Sequence, residues 1–111
     1  MRFGKGARLL RRRDFLEIQG RGRRLQAGAY VVVARPAETG RCRLGVTVSS
    51  RIGNAVVRNR VKRWVREAFR ASAAELGSMD VVVIARSDAP QAGLAGARRA
   101  MAALQAAGAR S

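Results

Sequence analysis

The sequence predicts an α/β protein of the α+β two-layer sandwich kind: one sheet with packed helices, in the order helix, strand, strand, helix, strand, helix. Three observations carry this. Tyr30-Val31-Val32-Val33 and Val81-Val82-Val83-Ile84 are short runs dense in β-branched residues. Between them, apolar residues from Val57 to Phe69 recur at helical spacing. The stretch from Leu94 to Ala107 is rich in alanine, the best helix former. At 111 residues the chain fits a single domain, 1–111, with one core. Residues 1–10 and 108–111 are expected to be flexible.

Asp14 opens a short amphipathic helix in which Phe15, Ile18 and Leu16 share a side, and Gly20 to Gly22 ends it. The run from Ala29 to Ala34 is the first strand. Pro36 and Glu38-Thr39-Gly40 supply a turn, and Cys42 to Ser49 returns as the second strand, so the two are expected to form a hairpin. Asp80 to Ala85 is apolar without alternation, as in a central strand covered on both faces. The stretches Asn54 to Leu76 and Leu94 to Ala107 read as the long helices.

The chain carries 23 Lys plus Arg against 7 Asp plus Glu, a formal net charge of +16. All the basic residues except Lys5 and Lys62 are arginine, which suits bidentate phosphate contacts, although a GC-rich coding bias produces the same preference. Such a charge repels itself unless a polyanion neutralises it. One cysteine, Cys42, and no histidine exclude a disulfide framework and a Cys/His zinc site within the chain, and a reducing compartment, the cytoplasm, is expected. No apolar run is long enough to span a bilayer, so no membrane partner is expected.

The helix beginning after Asn54 separates its residues by face. Val57, Val61, Trp64, Val65, Ala68 and Phe69 fall in one arc, and Arg58, Asn59, Lys62, Arg63, Arg66 and Arg70 in the opposing one, with Arg60 at its edge beside Glu67. A merely solvated face interleaves acids with bases, because like charges at i and i+4 each cost roughly 0.2–0.5 kcal/mol. Here only Glu67 and Glu75 are acidic, and phosphate binding is the better reading. Asn54 is placed to cap the helix, and the first-turn amides beside the arginines suit an anion.

The segments Arg43-Leu44-Gly45-Val46-Thr47-Val48-Ser49, Arg51-Ile52-Gly53-Asn54-Ala55, Arg58-Asn59-Arg60-Val61-Lys62-Arg63 and Arg66-Glu67-Ala68-Phe69 resemble the bacterial ribonuclease P protein component, over roughly residues 5 to 105. The match is specific because the Arg-Asn-Arg helix stands between two recognisable strands. The resemblance implies a ribosomal-protein-like fold with a mixed sheet of about four strands and a left-handed βαβ crossover, where general chirality favours the right-handed form. It assigns Arg51, Asn54, Arg58, Asn59, Arg60, Lys62, Arg63 and Arg66 to contact with the catalytic RNA. It places the single-stranded 5′ leader of precursor tRNA against Phe15, Val31, Val33 and Ser49, where the bland reading of Phe15 and the valines is core packing. Gln19 stands where the family often carries an aromatic residue, and Val33 where it can carry a tyrosine, so weaker leader contact is expected.

No histidine, no carboxylate pair within a motif and no metal-ligand cluster are present, so no catalytic or metal-binding residue is expected in this chain. The resemblance implies an accessory subunit whose partner, the ribonuclease P RNA, holds Mg2+ and performs the hydrolysis that removes the leader; no DNA partner is expected. The main alternative is a ribosomal-protein-like or RNA-chaperone module with no role in tRNA processing. A self-sufficient nuclease and a membrane-active cationic protein are remote readings, the first lacking catalytic groups and the second leaving the strands unused.

Overall fold

Val81, Val82 and Val83 are fully buried, as an apolar run covered on both faces requires, and the strand that holds them organises the sheet. A computed structural model describes residues 12–37 and 42–109. Within it the elements run α1 (Arg12–Arg21), β1 (Arg23–Ala27), β2 (Tyr30–Pro36), β3 (Arg43–Thr47), α2 (Ala55–Leu76), β4 (Met79–Ala85) and α3 (Ala89–Ala109). The strand order is β1-β2-β4-β3, antiparallel except for the parallel pair β3 and β4 joined through α2. This is the α+β sandwich that the sequence predicted, with the mixed sheet of four strands that the resemblance implied and so one strand more than the predicted element order. The expected flexible start at 1–10 lies outside the described residues; at the other end α3 includes 108 and 109, while 110 and 111 lie outside.

The expected hairpin between 29–34 and 42–49 does not form. β4 lies between β2 and β3, in the middle of the sheet, where both its edges are hydrogen-bonded and the helices cover its two faces. The link leaving β2 is tied to β4's start: Ala37 donates its amide to the Ser78 carbonyl (3.0 Å) and accepts from the Ser78 hydroxyl (2.7 Å). The hairpin that does form joins β2 to β1, which the sequence reading missed. Its two-residue turn is Gly28-Ala29, with Gly28 at a φ of 59°, the left-handed conformation that the first turn position of a tight hairpin demands.

Side-chain alternation sorts the sheet into two faces. Tyr30, Val32, Leu44, Val81 and Val83 meet Val61, Val65, Phe69, Ala97, Met101 and Leu104 of α2 and α3 in the main core. On the other face, Val33 and Val82 pack against Ile18 of α1. Gly22, just after α1, permits that approach: a Cβ there would stand 2.7 Å from both the Ile18 carbonyl oxygen and Val33 Cγ1. The C-terminal helix breaks at Gly93 (φ 64°), so its continuous part begins at Leu94, where the sequence placed it.

Candidate nucleic-acid interface

The β3–α2 connection is built to present α2's first turn. Asn54 Oδ1 accepts the Val57 amide at 3.0 Å, the cap its position predicted. Arg58 Nε donates to the Gly53 carbonyl at 3.2 Å, tying the arginine back to the loop. Gly53 runs so close over the helix that an added Cβ would meet Val57 at 2.9 Å. Val61, Val65, Ala68 and Phe69 are buried, which turns Asn59, Arg60, Arg63, Arg66 and Arg70 outward, all exposed, with Arg58 and Lys62 half-buried at the flank. Arg51 is exposed in the loop. Asn59, Arg60, Arg63 and Arg66 line a shallow open depression of about 530 Å3 with Val56, which is 65 % exposed. Val56 was not singled out from the sequence, although at about 100° per residue it falls beside Arg60 at the edge of the charged arc; it offers an apolar contact among the guanidinium groups.

The second polar surface lies on the α1 face of the sheet. By strand register, Gln26, Val31, Ile84 and Thr47 form a row across β1, β2, β4 and β3, next to the row holding Val33 and Val82. Val31, Ile84 and Thr47 remain half-exposed and Ser49 exposed. Val33 is 0 % exposed, closed beneath Ile18. Phe15 belongs to α1, with its side chain outside the described residues. Gln19, half-exposed, is on the same helix. Ile84 and Thr47 were not singled out from the sequence, although cross-strand register puts them beside Val31.

At the other end of this face, charges from three strands and α1 converge. Asp80 is 1 % exposed and accepts from Arg43 Nε (2.8 Å), Arg43 Nη2 (2.9 Å) and Arg35 Nε (3.2 Å). Arg35 pairs in turn with Glu17 of α1 at 2.6 Å, and Arg43 lies 3.8 Å from Asp14. Burial alone would raise the Asp80 carboxyl; the hydrogen bonds and charge of Arg43, then Arg35, carry it below the ordinary carboxylate value. The Glu17 hydrogen bond raises Arg35 and the Asp80 hydrogen bond raises Arg43. This network fastens α1 to the sheet.

Among the described residues, no three His, Cys, Asp or Glu side chains stand together to hold a metal ion, and the one buried carboxylate is committed to arginines. Burial pushes the Cys42 thiol up, away from the thiolate a nucleophile needs. No described helix is long and apolar enough to cross a membrane.

A small α+β protein of net charge +16, with arginines ranked on one side of a helix, has the charge layout of a polyanion-binding subunit. The comparisons make that class particular. The family model described as Ribonuclease P matches residues 3–107. The chain is 45 % identical over 85 residues to the ribonuclease P protein component of Desulforapulum autotrophicum, covering 76 % of this chain and 73 % of that one. To that of Desulfosudis oleivorans it is 39 % identical over 103 residues, 92 % and 85 % of the two chains. The ribonuclease P protein of Thermotoga maritima superposes with a TM-score of 0.77 at 36 % identity, covering 88 % of this chain and 94 % of that one. The chain belongs to the ribonuclease P protein component family, and so to the proteins of tRNA processing.

Proposed function

We propose that the chain binds the catalytic RNA of ribonuclease P through the outward face of α2, holds the single-stranded 5′ leader of precursor tRNA along the open part of the α1 face, and thereby assists Mg2+-dependent endonucleolytic removal of the leader. The observation that carries the reading is the one-sidedness of α2: its buried stripe fixes the rotation that exposes Asn59, Arg60, Arg63 and Arg66 together.

In this reading Arg60, Arg63 and Arg66 meet phosphates of the catalytic RNA, with Arg51, Asn59 and Lys62 extending the contact. Arg58 and Asn54 divide their duties, since each also fixes the helix start. The leader lies against Val31, Ile84 and Thr47, with Ser49 in the loop after β3 and Phe15 contributed by α1. Val33 supports that groove from below, given its burial under Ile18.

Among the described residues no set of side chains fits a Mg2+ site, and in this reading the RNA components hold the ions. What the chain supplies is positive charge that lowers the repulsion between two RNAs and a groove that orients the leader.

The test is cleavage of precursor tRNA at low Mg2+ by a bacterial ribonuclease P RNA, with and without the protein, on substrates carrying or lacking a leader. Stimulation that requires both the RNA subunit and the leader is expected. Tight RNA binding without stimulation would instead favour a ribosomal-protein-like or RNA-chaperone module.

A further inference from the structure

A cavity of about 340 Å3 opens where β1 begins, β2 ends and α3 finishes, at the sheet edge opposite β3 and the start of α2. Its lining is mostly apolar, with Leu25 and Leu104 as the largest aliphatic groups, and it is rimmed by Arg21, Arg23 and Arg24, all exposed. None of these three arginines has an ion pair among the described residues, and the nearby acids Glu17 and Asp80 are engaged by Arg35. The volume lies at the small end of the roughly 300–1,000 Å3 typical of ligand sites. Apolar walls under three unpaired guanidinium groups call for a flat, apolar body joined to an anion. A nucleotide is that combination: guanidinium planes and aliphatic side chains cover a base, and guanidinium forks hold a phosphate.

We infer that this β1-edge pocket holds one unpaired nucleotide of an RNA, its base against Leu25 and Leu104 and its phosphate on Arg23, which shares Leu25's face of β1, with Arg24 at the strand's outer rim. This rests on the RNA-binding reading above and adds a contact on the opposite edge of the sheet from α2. With both edges engaged, RNA is held on two sides of the protein, which fixes its orientation as well as its attachment.

Two measurements test it on the full chain bound to a bacterial ribonuclease P RNA, with and without precursor tRNA. The first is the salt dependence of RNA binding. Arg23→Ala/Arg24→Ala is expected to weaken affinity about tenfold or more and to lower the log–log slope by roughly 0.7–0.9 for each phosphate no longer neutralised. Leu25→Gln is expected to weaken affinity several-fold with the slope unchanged, because it removes an apolar surface for the base and no charge. Trp64 fluorescence confirms that each variant is folded. The second measurement is photocrosslinking from Ala107→p-benzoylphenylalanine, which is expected to label an RNA nucleotide. Unchanged affinity and slope for the edge variants, while Arg60→Ala/Arg63→Ala lowers both, would overturn the pocket and leave the α2 reading standing. If the α2 variants also leave both unchanged, the two readings fall together. Crosslinks confined to protein would assign the pocket to a segment of this chain or a second copy, and overturn the nucleotide.

Discussion

Arg43 of β3 grips Asp80 of β4 with two parallel hydrogen bonds, 2.8 Å and 2.9 Å long, between residues directly paired across the parallel strands. Asp80 is the only charged side chain among the described residues to be fully buried, so its charge is tolerable only while paired. Removing one partner of a fully buried pair costs roughly 3–5 kcal/mol. Arg35 and Arg43 retain some solvent access, so Asp80→Asn is expected to cost less, about 2–3 kcal/mol, by urea unfolding followed through Trp64 fluorescence. The same variant releases from β4 the Arg35 and Arg43 side chains that hold Glu17 and Asp14 of α1, and should make α1 exchange its amide hydrogens faster than in the wild type while α2 is unchanged.

The Asp80 carboxyl is held below its ordinary value, and this fixes a sign for acid stability. As pH falls through the ordinary carboxylate range, about 3.9 for aspartate, the unfolded chain takes up the proton first, so the folded state loses stability progressively down to the folded value. The wild-type protein should therefore show an acid limb in its stability curve, and Asp80→Asn should flatten it. An equally steep limb in the variant would place the acid sensitivity on other carboxylates.

How much of this was legible in the sequence depended on whether each residue's role was local. β4 was legible because four consecutive apolar residues demand cover on both sides, and α2 because its apolar stripe and arginines separate at 3.6-residue spacing. β1 was not: Arg23, Arg24 and Gln26 are polar, as suits an exposed edge strand, and only Gly28 hinted at the turn. The order of β2, β4 and β3 is a long-range property that no turn residue encodes. Arg35, Asp80 and Arg43 each look like solitary charges until strand register aligns them. For the groove, register likewise added Ile84 and Thr47 to Val31 and put Val33 beneath a helix.

Tyr30 carries the opposite pH signature. Its ring is fully buried, and its hydroxyl has no hydrogen-bond partner among the described residues. Burial, with Asp88 adding to it, pushes the phenol up from 10.0 to about 12. The folded state thus resists ionisation, and stability present below about pH 10 is lost as pH rises towards 12. Tyr30→Phe should raise stability by on the order of 1 kcal/mol, since an unsatisfied buried hydroxyl costs about that much or more. It should also remove this alkaline loss, measured by thermal unfolding across the alkaline range.

Asn54 is both a cap and a proposed RNA contact, and two substitutions separate the roles. Asn54→Ala loses the bond to the Val57 amide and is expected to cost about 1 kcal/mol of stability. Asn54→Asp keeps an acceptor at the helix N-terminus, where a negative charge is favourable. It should therefore preserve stability yet weaken RNA binding, because its carboxylate faces phosphate. Equal RNA affinity for Asn54→Asp and wild type would make Asn54 a cap alone.

The exposed arginines of α2 should separate in the same way. Arg60 and Arg63 make no hydrogen bond or ion pair among the described residues and are free to meet phosphates. Arg60→Ala and Arg63→Ala should each lower the log–log salt slope of RNA binding by roughly 0.7–0.9, at unchanged thermal stability. Arg58→Ala should lower the slope and the melting temperature together, because its guanidinium also holds the Gly53 carbonyl. Binding curves between about 50 and 200 mM salt, the range over which several phosphate contacts produce large affinity changes, read the slopes directly. If Arg58→Ala shifts melting while none of the three changes the slope, α2's charged face is solvated surface and the RNA contact lies elsewhere on the protein.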